Sequence, residues 1–167
     1  RRRHSFPTRR SSDLLERFEA AAKDGFNAVE YLFPYAYAMH DITARLKANG
    51  LQQVLFNTPP AGLELEGFNA AWTQGHRGTA SVPGREAEFR AGFLHALEWA
   101  EALDCPRMHA MVGLRADDAS AEAADATLIR NLEWAPGEAA KAGRDVLIEP
   151  INTRSVPGFH LNRQVGC

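Results

Sequence analysis

Val146-Leu147-Ile148-Glu149-Pro150-Ile151-Asn152 is an apolar run that carries one carboxylate to its end and is then stopped by a proline. Val146 through Ile148 read as a strand buried on both faces, the pattern of a parallel sheet covered by helices. A carboxylate at the end of such a strand is costly to bury. It persists there only if it is paired, hydrogen-bonded or bound to a metal. Side chains alternate along a strand, so Glu149 shares a face with Leu147 and opposes Ile148. In a barrel that face points inward, which makes Glu149 the first candidate for chemistry. The competing structural reading is a carboxylate that caps the next helix or pairs with an Arg.

Outward from this strand, helix-like and strand-like segments alternate at the spacing of βα units. Leu14, Leu15, Phe18, Ala21 and Ala22 have helical spacing, and Gly25 follows as a stop signal. A strand over Phe26–Phe33 ends at Pro34, a helix over Met39–Ala48 closes at Asn49-Gly50, and a strand over Gln52–Asn57 closes at Thr58-Pro59-Pro60. The connection from Thr58 to Gly84 is long and rich in proline and glycine, and loops of that length are usually functional or disordered; a functional loop is expected. Arg85–Leu103 is an amphipathic helix with Phe89, Phe93, Leu94, Leu97 and Ala100 on one stripe. A strand over Met108–Gly113 and a helix from about Ala119 to Gly143 lead to the Glu149 strand. Pro136-Gly137 lies inside that last helix, where a proline costs about 3 kcal/mol, so the helix is expected to divide at Ala135.

The order is therefore α-β-α-β-α-β-α-β, an α/β pattern that implies a parallel sheet, either open and doubly wound or part of a (β/α)8 TIM barrel. No Gly-rich phosphate loop follows any strand. Polar residues recur at the C-terminal strand ends instead, at Glu30, Asn57, His109 and Glu149, and in a barrel those ends face one pocket. A partial TIM barrel with about four βα units is expected. The 154 residues after the first 13 of 167 fall short of the roughly 250 typical of the fold, which reads as a fragment cut at both ends, with a further helix opening near Gln164. Half a barrel exposes strand edges and an apolar interior, so association into a homo-oligomer is also expected.

His4-Ser5-Phe6-Pro7-Thr8-Arg9-Arg10-Ser11-Ser12-Asp13-Leu14 resembles the translation of a short-read sequencing adapter. It has no apolar periodicity, and no apolar segment follows its basic start to make a signal peptide. Residues 1–13 are read as a non-native, disordered tail and residues 14–167 as the barrel domain. Of 19 basic and 21 acidic side chains the tail holds five Arg and one Asp, leaving 14 and 20 in the body, a net charge of −6. An acidic body without a Lys/Arg-rich run argues against nucleic acid or an anionic membrane as partner. No stretch of about 18 apolar residues exists to span a bilayer. Cys105 and Cys167 have no CxxC or zinc-finger spacing, so a reducing, cytoplasmic setting is expected.

Several pieces, in order and at matching separations, carry a family resemblance: Gly25-Phe26 through Val29-Glu30-Tyr31-Leu32-Phe33-Pro34-Tyr35, Arg77-Gly78, Pro83-Gly84-Arg85-Glu86, Val112-Gly113, and Leu147–Asn152 followed by Pro157-Gly158-Phe159-His160-Leu161. With these, the chain resembles the hydroxypyruvate isomerases of the xylose isomerase-like barrel superfamily. The resemblance implies conversion of hydroxypyruvate to 2-hydroxy-3-oxopropanoate (tartronate semialdehyde) through an enediol. Such chemistry needs a base to take a proton next to a carbonyl and an acid to return it to the neighbouring carbon. It also implies a divalent metal, Mg²⁺ or Mn²⁺, holding the substrate oxygens. In that family the glutamate matching Glu149 is a metal ligand and a catalytic proton-transfer residue. Its partner is a second glutamate far downstream, and the other ligands come from later strands. None of these is present, so the chain as it stands is expected to be inactive.

Four further residues are candidates for binding a small hydroxy-oxo acid substrate. Asn57 and His109 end strands; the competing reading for each is a hydrogen-bonded core residue. Arg77, flanked by Gly75 and Gly78, has the chemistry to clamp a carboxylate in bidentate fashion, against a solvated loop Arg. His160 stands in the loop after the Glu149 strand, where closure over substrate competes with a simple turn role. Glu30 is expected to pair with an Arg or Lys of the barrel. Phe56 stands just before Asn57, where relatives commonly have His. Two alternatives stay open: a 2-oxo-tetronate or sugar isomerase or epimerase of the same superfamily, and, from another class, a nucleic-acid-binding endonuclease-like barrel. The acidic body and the lack of clustered His count against the latter.

Overall fold

The computed structural model describes residues 14–63 and 70–164. The expected tail over residues 1–13 lies outside these, as do residues 64–69 of the long connection and the last three residues of the helix anticipated near Gln164. Eight elements follow one another as the hydrophobic periods require: α1 (Leu14–Lys23), β1 (Ala28–Glu30), α2 (Met39–Ala48), β2 (Gln52–Asn57), α3 (Glu86–Ala102), β3 (Arg107–His109), α4 (Ala121–Lys141) and β4 (Asp145–Leu147). The four strands form one sheet in the order β1-β2-β3-β4, every neighbouring pair parallel. A helix connects each strand to the next, the repeated unit of a (β/α)8 wall.

Strand alternation sorts the side chains. Phe56 pairs in register with Met108, and Met108 with Val146, on the helix-covered face. Phe56 and Met108 are buried there with Phe18, Ile42 and Phe93 in one apolar cluster. The opposite face carries the row Asn57, His109, Leu147. Ser120 starts α4, its Oγ accepting from the Ala123 N–H at 3.1 Å, which satisfies one of the free donors of the first turn.

Two expectations are corrected. Leu147 and Ile148, read as buried, are 39% and 42% exposed. β4 pairs with β3 on one side, and among the described residues no strand pairs with its other edge. The helix expected to divide at Ala135 runs unbroken from Ala121 to Lys141. Pro136 and Gly137 lie on its exposed side, while Ala135 and Ala139 are buried, so the proline ring is accommodated away from the packed face.

The connection between β2 and α3 is tied back to the sheet by two glycines. Gly78 forms an antiparallel bridge to Val112 with φ +121°, and a Cβ there would stand 2.1 Å from the Met111 carbonyl oxygen. Gly113, at φ +103°, would place a Cβ 2.4 Å from the Gly78 oxygen. Backbone meets backbone where no side chain fits.

Candidate active site

The C-terminal ends of all four strands open on a concavity of about 570 Å³, lined by Glu30, Leu55, Asn57, His109, Leu147 and Glu149 among others. The alternation that buries Phe56 and Met108 turns Asn57 and His109 into this space, and Glu149, two residues past the end of β4, lines it too. The structure thus brings together three of the sequence candidates, Asn57, His109 and Glu149, each from a different strand.

Asn57 and His109 are both buried and face one another, with His109 Nδ1 3.0 Å from Asn57 Oδ1. An amide oxygen accepts only, so Nδ1 carries the proton and Nε2 is left as an acceptor. That Nε2 is buried and has no partner among the described residues. Burial lowers the His109 pKa from 6.5, and the Glu149 carboxylate opposes the shift. Burial prevails, so the ring is held neutral. Behind this pair the buried Tyr35 donates its hydroxyl to the Asn57 carbonyl oxygen at 2.7 Å. Tyr35 follows Pro34, which has no N–H to offer, so a side chain supplies the bond that a longer β1 would have made. Nothing in the sequence beyond a tyrosine after proline pointed to this support.

Glu149 itself is exposed in the concavity. Glu30 lines the same space from β1 and has no ion pair among the described residues, unlike the pairing expected of it. The two carboxylates come from the two outermost strands of the described sheet, β1 and β4.

Arg77 and His160 lie elsewhere. Arg77 stacks on the Trp72 ring at 3.9 Å and donates from Nη1 to the carbonyls of Trp72 and His76, facing a separate depression. His160 Nε2 lies 2.8 Å from Asp125 Oδ1, and its N–H bonds the Gly113 carbonyl, so the loop after β4 is fastened to the first turns of α4 and to the β3 loop.

A parallel four-stranded wall with polar side chains gathered at its C-terminal ends is what a sequence comparison can now place. The profile of the xylose isomerase-like TIM barrel family matches residues 18–164. The chain belongs to that family. Within the xylose isomerase-like barrels it is 50% identical over 151 residues to a 2-oxo-tetronate isomerase of Cupriavidus necator, covering 90% of this chain and 55% of that protein. It is 40% identical over 149 residues to a hydroxypyruvate isomerase of Escherichia coli, covering 89% and 54%. The chain thus spans about half the length of the curated relatives it matches. A solved structure titled AP endonuclease, family 2, from Brucella melitensis superposes with a TM-score of 0.79 at 43% identity, over 88% of this chain and 53% of that one.

Proposed function

We propose that Glu149, His109 and Asn57 form one wall of the active site of an isomerase that shifts a carbonyl along a short hydroxy-oxo acid, hydroxypyruvate or 2-oxo-tetronate, through an enediol. One observation carries the reading. A carboxylate and a neutral histidine with a buried, unpartnered Nε2 share a concavity at the C-terminal strand ends. Glu149 takes the proton from the carbon beside the carbonyl, and His109 Nε2 accepts a hydrogen bond from the substrate hydroxyl that becomes part of the enediol. Asn57 keeps the ring in the tautomer that can do so. The names of the relatives support a small hydroxy-oxo acid, and the acidic body weighs against nucleic acid.

A divalent ion, when bound, would steady the negative charge of an enediolate. Among the described residues no three His, Cys, Asp or Glu side chains converge to hold one. With Glu149 the single carboxylate offered and no converging ligand set among the described residues, the side chains present do not make a site for the ion, and no step here runs through it. No second carboxylate is assigned here to return the proton to the neighbouring carbon. The 167-residue chain by itself is therefore proposed not to turn over substrate. In a protein that completes the barrel around this stretch, Glu149→Gln is expected to lower kcat at least about 100-fold. Unchanged turnover in that variant would remove Glu149 from the chemistry, and isomerisation of hydroxypyruvate by the 167-residue chain with Mg²⁺ or Mn²⁺ would overturn the proposed inactivity.

A further inference from the structure

A second depression of about 310 Å³ lies beyond the strand ends, and among its walls are Gln74, His76, Arg77, Arg85, Arg115 and Asp117. We propose that it binds a small oxyanion, the phosphoryl or carboxylate end of a metabolite, at a site separate from the Glu149 concavity. The inference stands independently of the role given to Glu149.

Arg77 is held in an over-determined position, while among the described residues its charge has no acidic partner. Its guanidinium lies on the Trp72 ring, Trp72 packs edge-on against Phe33 at 5.1 Å, and Nη1 is fixed by two backbone carbonyls. Among the described residues nothing accepts from the Nε–Nη2 edge and no carboxylate pairs with Arg77. A guanidinium edge presents two parallel N–H groups that match an oxyanion in bidentate fashion. Holding it still in advance removes much of the ordering cost of binding.

The backbone contact of Gly78 with Gly113 sets the neighbours. It pins the residue after Arg77 against the residue before Leu114-Arg115, so the second guanidinium reaches the same depression from the β3 loop. Arg115 likewise has no salt bridge among the described residues, although Glu122 feels its charge at longer range. Arg85 is the committed member. It makes a two-pronged pair with Glu88 at 2.7 and 2.8 Å, and Nη1 lies 3.4 Å from His76 Nδ1. Glu88 is further held by the Gly62 N–H. Arg85 thus acts as a wall, leaving Arg77 and Arg115 to be answered by a ligand, and Asp117 is the single acid of the lining among the described residues.

The test titrates the 167-residue chain with inorganic phosphate and, separately, malonate, following backbone amide and arginine side-chain resonances by NMR. Saturable shifts are expected at Arg77, Gly78 and Arg115. Arg77→Gln should weaken binding about tenfold or more, the effect of losing a charge-assisted fork, and Arg77→Lys should recover only part of it. Glu149→Gln should leave the affinity unchanged, which separates this site from the proposed catalytic one. Tighter binding of phosphate assigns the site to a phosphoryl group, and tighter binding of malonate to a carboxylate. A thermal melt checks that Arg77→Gln is folded. Failure of both anions to bind, shifts confined to the Glu149 concavity, or full affinity in a folded Arg77→Gln variant would each overturn the proposal.

Discussion

The two faces of the sheet obey different rules. On the helix-covered face Phe56 and Met108 are 1% and 0% exposed and have no polar atoms to satisfy. On the concave face Asn57 and His109 are almost as deeply buried, but each depends on a specific hydrogen bond, and Leu147 beside them is 39% exposed. Apolar packing holds the wall up; the polar row on its other side is what the wall positions. Stability and site geometry are therefore separable in this chain, and substitutions on the two faces should fail in different ways.

The largest expected effect lies on the covered face. Phe56→Ala removes a buried ring that meets Tyr35 edge-on at 6.2 Å, and should cost about 3–5 kcal/mol in urea unfolding. A loss below about 1 kcal/mol would mean that the helices do not pack on the sheet as described.

Next comes the polar row. Asn57→Leu strips the partner from a buried Nδ1–H and should cost about 1–3 kcal/mol, less than Phe56→Ala. Its diagnostic readout is the ¹⁵N spectrum of the His109 ring, where the single Nδ1–H tautomer should give way to a mixture. Retention of one tautomer would show that Asn57 does not set it.

How legible these faces were in the sequence follows from the physics of each. Strand and helix positions were readable because apolar spacing repeats locally, as in Gln52–Asn57 and Glu86–Ala102, and the polar residues at strand ends pointed to one pocket. A partial barrel implied exposed strand edges and an exposed apolar interior, but not that Leu147 and Ile148 were among the exposed side chains, since an apolar run records what a strand can bury and not whether a neighbour is there to cover it. Nor did the spacing show that Pro136 could sit on the outer side of an unbroken α4, where its lost hydrogen bond is cheap. The Asn57–His109 bond joins residues 52 apart, and the stacking of Arg77 on Trp72 depends on how the long connection folds back. Long-range pairings of that kind leave no local period in the chain.

The polar row also predicts a pH dependence smaller than either deletion. Burial lowers the folded-state pKa of His109 below its ordinary 6.5, so around that value the unfolded chain binds more protons than the folded one. The stabilisation from the neutral ring is fully present above pH 6.5 and is lost as pH falls through the folded-state value. The slope is at most about 1.4 kcal/mol per pH unit, the limit for one proton. Comparing wild type with His109→Gln between pH 7.5 and 5 should show the steeper acid loss in wild type. Glu149→Gln should move the His109 titration to lower pH, because the carboxylate that favours the imidazolium is gone; an unmoved titration would mean the two do not sense each other across the concavity.

The smallest effect is expected at Leu147, and it is the sharpest check on the contrast between the faces. Leu147 shares the row of Asn57 and His109 but retains 39% of its exposure, so Leu147→Ala forfeits only part of the roughly 1.5–3 kcal/mol that burying a leucine contributes. A loss under about 1 kcal/mol is expected in the 167-residue chain. The same substitution in a protein whose further strands cover β4 should cost about 2–5 kcal/mol, the range for a leucine deleted from a packed core. Equal losses in the two settings would mean that the concave face is not the interior of a closed barrel, and Glu149, two residues along the same face, would then have no enclosed pocket in which to work.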